Sequence, residues 1–453
     1  MMKKILTISV TILSLTACNV YEPYTRPKIQ AENLYGMEYF PEDTLSMVSL
    51  SWKEIFTDTL LQDYIEKALS QNVDVRSAQL RIDEAKAQLS AARLTLLPSF
   101  ALTPQSHIRS LNGEKATQAY QLPVTANWQI DIFGRLSNAK KQAKALFLQS
   151  QDYAQAVRSQ LVANVANTYY TLMMLDRQLD IAKSTKRSWL ENLASTRTLK
   201  SIGGATEIAV SQSEAACQFI AISILDLQEQ IKQVENSFCL LLAEVPHSIK
   251  RNCIKNQYLP TSVKIGIPMQ LLITRPDVRA AERSLENAFY ATNQARSDFY
   301  PNITLNGTAG WTNAAGELIV NPGSFLVLAI GSLVQPLFAN GRLTARLKVA
   351  KSLQERATLN FQQALLNAGT EVNDALCQYQ TAHEKSKLYE QQIAFLNAIV
   401  RNTELLMSYG NTTYLEVLTA RQSLYNAELN QVANQMKELQ SVVNLYQALG
   451  GGV

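Results

Sequence analysis

Histidine, cysteine and charge are all scarce in this 453-residue sequence, and each shortage closes off a class of function. His107, His247 and His383 stand far apart, without the spacing of metal ligands. The cysteines form no CxxC pair. Cys217 and Cys377 fall in helical stretches and read as buried small apolar residues, while a Cys239–Cys253 disulfide stays open. There is no Gly-x-Ser-x-Gly turn and no phosphate loop, so neither catalysis nor a cofactor is indicated. Past the N-terminus the adjacent methionines are Met173-Met174, which read as core, so copper or silver ligation is not indicated. Charged residues make up 18% with a formal net charge of +4 and no clustered basic patch, which disfavours nucleic acid. Beyond the first residues no apolar run reaches the ~18 residues of a transmembrane helix.

Proline is also missing from two long stretches, and these organise the chain. Gly341 to Tyr409 follows Pro336, contains no proline, and has Gly369 as its internal glycine. Leu343, Leu347, Ala350, Ala357, Phe361, Leu365, Ala368, Val372, Ala375 and Leu376 recur at helical spacing among polar residues. At ~1.5 Å per residue this is one helix of about 100 Å, too polar for lipid and in need of neighbours along its apolar stripe. Arg135 to Ile202 is a second such stretch, without proline or glycine. Gly134-Arg135-Leu136 falls on Gly341-Arg342-Leu343, Val165 on Val372 and Thr196 on Thr403, all by a shift of 207 residues. Upstream, Asp74-Val75-Arg76 falls on Asp277-Val278-Arg279 and Pro98 on Pro301, a shift of 203. The chain is a tandem duplication with a period of about 200 residues.

Lys3 and Lys4 precede a short apolar run from Ile5 to Leu15, a secretory signal over residues 1–17. It ends Leu15-Thr16-Ala17-Cys18, which resembles the bacterial lipobox, where the cysteine is acylated and becomes the mature N-terminus. The plainer alternative is an ordinary signal peptide followed by a chance cysteine. Asn19 stands where bacterial lipoproteins kept in the inner membrane carry Asp, so the resemblance favours an outer-membrane lipid anchor at Cys18. Residues 18–60 then read as a lipidated arm with Pro23, Pro27 and Pro41. Repeat 1 spans 61–245, a proline-bearing linker 246–268, repeat 2 269–450, and a short tail 451–453.

Each repeat changes period once. Tyr120, Leu122, Val124, Ala126, Trp128 and Ile130 alternate with Gln121, Pro123, Thr125, Asn127, Gln129 and Asp131, the pattern of a strand with one apolar and one polar side. Its partner is expected over 99–108, and the second pair over 302–312 and 325–337. Pro123 argues for an edge or a bulge. Helices are expected over Trp52–Ser70 and Asn72–Leu96 before the first pair, and the long helices over 135–202 and 342–409. Strands of about ten residues can cross a membrane at a tilt, and Trp128 and Trp311 suit its interfaces. Four strands close no barrel, and an open edge does not survive in lipid, so copies must join around an axis. The soluble alternative is a four-stranded sheet packed on helices.

Leu271-Leu272-x-x-Arg275-Pro276-Asp277-Val278, Phe299-Tyr300-Pro301-Asn302-Ile303, Pro336-Leu337-Phe338-x-x-Gly341-Arg342 and Tyr409-Gly410-x-x-x-Tyr414-Leu415-x-Val417-Leu418 together resemble the TolC-like outer-membrane efflux ducts, especially their lipoprotein branch. The resemblance covers nearly all of the mature chain. It implies a mainly helical fold with a membrane β-barrel: a homotrimer with twelve strands in one barrel above a tunnel of helices. It also implies a periplasmic adaptor and an inner-membrane pump, most simply of the resistance–nodulation–division (RND) type, with export of small molecules such as drugs. A duct for type I protein secretion stays open within the family, and a lipid-anchored periplasmic coiled-coil scaffold outside it.

Two turns end the long helices: Ser201, Gly203, Gly204 and Thr206, and their counterparts Ser408, Gly410 and Thr413. Glycine there suits a helix ending in the left-handed conformation, and the resemblance makes these tips the adaptor contact. Glu416 matches one acidic position of the family's periplasmic gate. One turn further stands Thr419, and in repeat 1 Ala209 takes the place of an acid, with Glu207 nearby. Alternatively, the turns are plain caps and Glu416 a solvated charge.

Overall fold

The computed structural model describes residues 21–27, 51–110, 112–113, 116–254, 275–313, 324–409 and 412–451. The signal, Cys18, most of the arm, much of the linker and Gly410 lie outside these residues. The chain runs through α1 (Trp52–Ile55), α2 (Thr59–Gln71), α3 (Val73–Leu94), β1 (Ser99–Leu102), β2 (Gln105–Arg109), β3 (Thr117–Ile130), α4 (Arg135–Ser201) and α5 (Glu207–Leu241). It continues through α6 (Pro276–Ser297), β4 (Asn302–Thr312), β5 (Ser324–Val334), α7 (Arg342–Ser408) and α8 (Tyr414–Ala448). Counterparts match in length: 22 residues in α3 and α6, 67 in α4 and α7, 35 in α5 and α8.

Local chemistry sets the ends. The helix expected over 52–70 is two, because the Asp58 carboxylate accepts from the Leu60 and Leu61 amides and starts α2 afresh. Ser51 and Glu54 form a capping box on α1. Gly134 and Gly341, at φ 71° and 76°, turn the chain into α4 and α7. The long helices stop at Ser201 and Ser408, one residue short of the expected ends.

Two compact units form, each drawing on both repeats. The first holds Leu80–Asp152, Arg279–Gln363 and the described part of the arm. Its antiparallel sheet has the order β1-β3-β4-β5, with β2 also pairing β3. The strand expected over 99–108 is interrupted at Thr103-Pro104, and Pro123 sits in an inner strand, not at an edge or bulge. Neither proline has an N–H for the ladder. The ladder therefore lapses between the pairs Leu102↔Val124 and Gln105↔Gln121 and resumes in the same register. β3 begins earlier than expected, at Thr117, and β5 ends at Val334, two residues before Pro336. On α6, Arg26 of the arm grips Glu282 with two hydrogen bonds, 2.7 and 2.5 Å, and Tyr24 meets Phe289 edge-on. Asp152 is buried with Arg279 and Arg283; burial pushes its carboxyl up, and the two guanidinium groups pull against that shift.

The second unit holds Gln30–Gln79, Tyr153–Val278 and Ala364–Val453. Ile55, Phe56, Leu61 and Ile65 are wholly buried, as are Tyr169 and Phe238. Tyr64 meets Phe238 edge-on at 5.1 Å, and Phe56 meets Tyr446 at 5.8 Å. Burial pushes the Tyr446 hydroxyl up to about 12. A further apolar cluster along the helices includes Leu175, Trp189, Leu193, Ile220, Leu227 and Tyr425. The Arg275 guanidinium holds Asp277, Glu371 and the Ala448 carbonyl. Cys217 is buried, but Cys377 is exposed, against the expectation. It follows buried Leu376, and one step of about 100° around a helix carries it off the apolar stripe. Cys239 and Cys253 are free thiols, and the Cys239 Sγ lies 3.4 Å from His247 Nδ1.

Candidate functional site: the sheet, the helix tips and the gate residues

Strand register sorts the sheet into two faces. Leu122, Val124, Ala126, Trp128 and Ile130 lie level with Trp311, Ala309, Gly307, Leu305 and Ile303, and these with Phe325, Val327, Ala329, Gly331 and Leu333. This face is apolar across three strands, and among the described residues no helix covers it: Val124 is 46% exposed and Val327 67%. The other face carries Thr125, Asn127 and Gln129 beside Thr308, Asn306 and Thr304. Asn127 and Asn306 share a hydrogen bond of 2.7 Å, as do Gln129 and Asn302. The outer edges, β1 with β2 on one side and β5 on the other, take no further strand among the described residues. On β5 that second face is apolar as well, with Leu326, Leu328, Ile330 and Val334 beside Gly310, Thr308, Asn306 and Asn302. A sheet apolar on one side, polar on the other in its two inner strands and open at both edges is a segment of a wall between lipid and water.

In the second unit the first tip closes as a left-handed cap. Gly203 has φ 79°, its amide reaches the Lys200 carbonyl at 3.0 Å, and the Gly204 amide reaches the Leu199 carbonyl at 2.8 Å. The Ser201 hydroxyl donates to the Thr198 carbonyl, and Thr206 caps α5 by accepting from the Ala209 amide at 3.2 Å. Lys200 and Glu207 pair across this turn, so Glu207 is engaged there. On the second tip the Ser408 hydroxyl donates to the Leu405 carbonyl, and Thr413 holds the cap position without a side-chain bond. The hydroxyl of Thr412 donates to the exposed Glu416 carboxylate. Ala209, the repeat-1 counterpart of Glu416, is buried.

Near these turns α4 is tied to α8. The Arg421 guanidinium donates to Glu404 at 2.8 and 2.5 Å and to the carbonyl and hydroxyl of Ser188 at 3.1 and 3.2 Å. Asn192 reaches the Tyr414 hydroxyl at 3.5 Å. Sequence reasoning missed Arg421, since nothing local marks an arginine whose partners lie 17 and 233 residues away. Thr419 lies in a groove of about 500 Å³ beside Ala216, Phe219 and Leu418. α5 corrects the reading that no helix could cross a membrane: by length and composition it could. Interspersed Gln and Glu residues break its apolar run, and Phe219, Ile222 and Leu225 point outward, 51–65% exposed. An outward apolar stripe on a long helix is a surface awaiting a neighbouring helix.

Residues 64–244 and 267–451 each match the outer membrane efflux protein family. The chain belongs to this family. It is similar to the cation efflux system protein CusC of Escherichia coli O6:H1, 29% identical over 453 residues with 97% of each chain covered. A similar likeness joins it to the probable outer membrane lipoprotein SilC of Salmonella typhimurium, 26% identical with 99% of this chain and 98% of SilC covered. Among solved structures, the outer-membrane channel OprN superposes with a TM-score of 0.87 at 25% identity, covering 96% of this chain and 99% of OprN. This outer membrane efflux protein is therefore a TolC-like channel of the bacterial outer membrane, built for export and not an enzyme. In that setting the uncovered apolar face of its sheet is the lipid-facing one.

Proposed function

We propose that three copies of the chain close one barrel and form the passive exit duct of a tripartite efflux pump, carrying small solutes outward. The carrying observation is the sheet with two open edges and one bare apolar face, which no lone chain can keep in lipid. The energy comes from an inner-membrane pump of the RND type, joined through a periplasmic adaptor that docks on the helix tips. Acylation of Cys18 adds the anchor, since each buried CH₂ contributes about 0.8 kcal/mol and two or more chains hold a protein stably. The deciding experiment is electrophoresis of outer-membrane fractions with and without heating, followed by planar-bilayer recording. A heat-modifiable trimer with conductance is expected; a monomer that stays in solution without detergent would refute the reading.

The tip assignment has its own consequence. A Cβ at Gly203 meets no atom within 4 Å, so the cost of Gly203→Val falls on the left-handed backbone, about 1–2 kcal/mol. The trimer is expected to assemble while efflux falls; drug accumulation at the wild-type level would remove the tip from the docking surface. For the gate, three symmetry-related Glu416 carboxylates around the axis attract cations. Glu416→Ala is expected to shift the reversal potential in a salt gradient toward lower cation preference, and an unchanged potential would return Glu416 to an ordinary surface charge.

A further inference from the structure

A cavity of about 530 Å³ lies where the strands of the first unit give way to the long helices. Gln129 and Asn302 line it from the face that β3 and β4 make polar, and Val334 of β5 lines it from the same side. Three guanidinium groups, Arg135, Arg342 and Arg346, meet two carboxylates there, Asp131 and Asp298. Both carboxylates are engaged. Asp131 accepts from the Leu136 and Ser137 amides at 2.9 and 2.6 Å, while buried Asp298 takes Arg135 at 3.4 Å and Arg346 at 2.6 Å. Arg342 has no ion-pair partner among the described residues. Moreover, Arg342 is the first residue of α7, a helix with no acid in its first turn, whereas the Asp131 carboxylate already caps α4 beside Arg135. A cation at the positive end of a helix dipole is unfavourably placed unless an anion joins it.

We propose that this cavity is an oxyanion site of the channel, holding a phosphate or carboxylate group of a solute in the pore. Arg342 is its primary ligand, with Arg346 and Arg135 completing the cluster. A guanidinium fork matches such groups in a way an ammonium does not. The site rests on the proposed closure of three copies, which turns the polar face toward the pore. That placement favours a dissolved anion over a lipid headgroup.

The test uses the full-length protein in planar bilayers of zwitterionic and of anionic lipid, with inorganic pyrophosphate as the probe. Pyrophosphate is expected to lower the wild-type current in both lipids, and Arg342→Gln to raise the half-blocking concentration at least tenfold. A conducting Arg342→Gln channel with unchanged block overturns the site. Block that disappears in anionic lipid assigns the arginines to headgroups and overturns the solute reading. Equilibrium binding of labelled pyrophosphate to the detergent-solubilised protein separates the site from the closure. If no channel forms, closure fails; binding that Arg342→Gln weakens tenfold still upholds the oxyanion pocket, and binding that it leaves unchanged overturns it.

Discussion

Gly310→Leu is expected to remove the heat-modifiable trimer from the outer membrane, with at least a tenfold loss of assembled protein. Gly310 pairs with Pro123 across the β3–β4 ladder. A Cβ at Gly310 would lie 2.3 Å from the Leu122 carbonyl oxygen and 2.5 Å from the Pro123 Cα. Both are backbone atoms, so no rotamer change relieves the contact. β3 is also held on its other side, by the Thr103 amide on the Pro123 carbonyl at 3.1 Å and by the flanking pairs Leu102↔Val124 and Gln105↔Gln121. Overpacking against side chains alone costs about 1–3 kcal/mol; against the backbone of a strand held on both sides, the β3–β4 ladder itself must part. Gly307 in the same strand is the control, since its added Cβ would meet only the Ala126 Cβ, at 3.7 Å. Gly307→Ala should therefore assemble normally. Trimer yields for Gly310→Leu equal to those of Gly307→Ala would show that the close approach does not constrain the barrel.

Gly310 also marks the limit of what the sequence discloses. Strand periodicity around Tyr120–Asp131 was readable because alternation is a property of neighbours in the chain. The long helices were readable for the same reason, as was the first glycine tip, where the left-handed cap is dictated by Gly203 itself. Pro123 was placed wrongly because its tolerance depends on two distant features, the gap at Thr103-Pro104 and the bare backbone of Gly310. The exposed Cys377 and the apolar outer stripe of α5 misled differently. Each turns on which helical face finds a partner, and composition does not encode that. The Arg421 tie to Glu404 and Ser188 and the arginine cavity at the base of the sheet are tertiary juxtapositions, with no local motif to announce them.

The same holds for Arg251, whose replacement by methionine is expected to cost about 3 kcal/mol in the second unit. Its side chain is 11% exposed and binds Asp176 through two bonds of 2.5 and 2.8 Å. Its Nη1 donates to Glu235 at 2.7 Å and to the Ile249 carbonyl at 2.8 Å. Burial works against the guanidinium charge, but Asp176 and Glu235 outweigh it and raise the pKa above the ordinary arginine value. The two partners differ in what they lose. Asp176 is 39% exposed and rehydrates once released, so its share is small. Glu235 is 7% exposed and would keep only the Ile249 amide, at 3.3 Å, as its hydrogen-bond donor. The penalty therefore resides in Glu235, and the double variant Arg251→Met/Glu235→Leu should recover most of the lost stability. Denaturant melts of the helical signal check this. A double variant no more stable than Arg251→Met would mean that the arginine acts through its packing, by fastening the segment after α5 to the long helices, and not by neutralising a buried carboxylate.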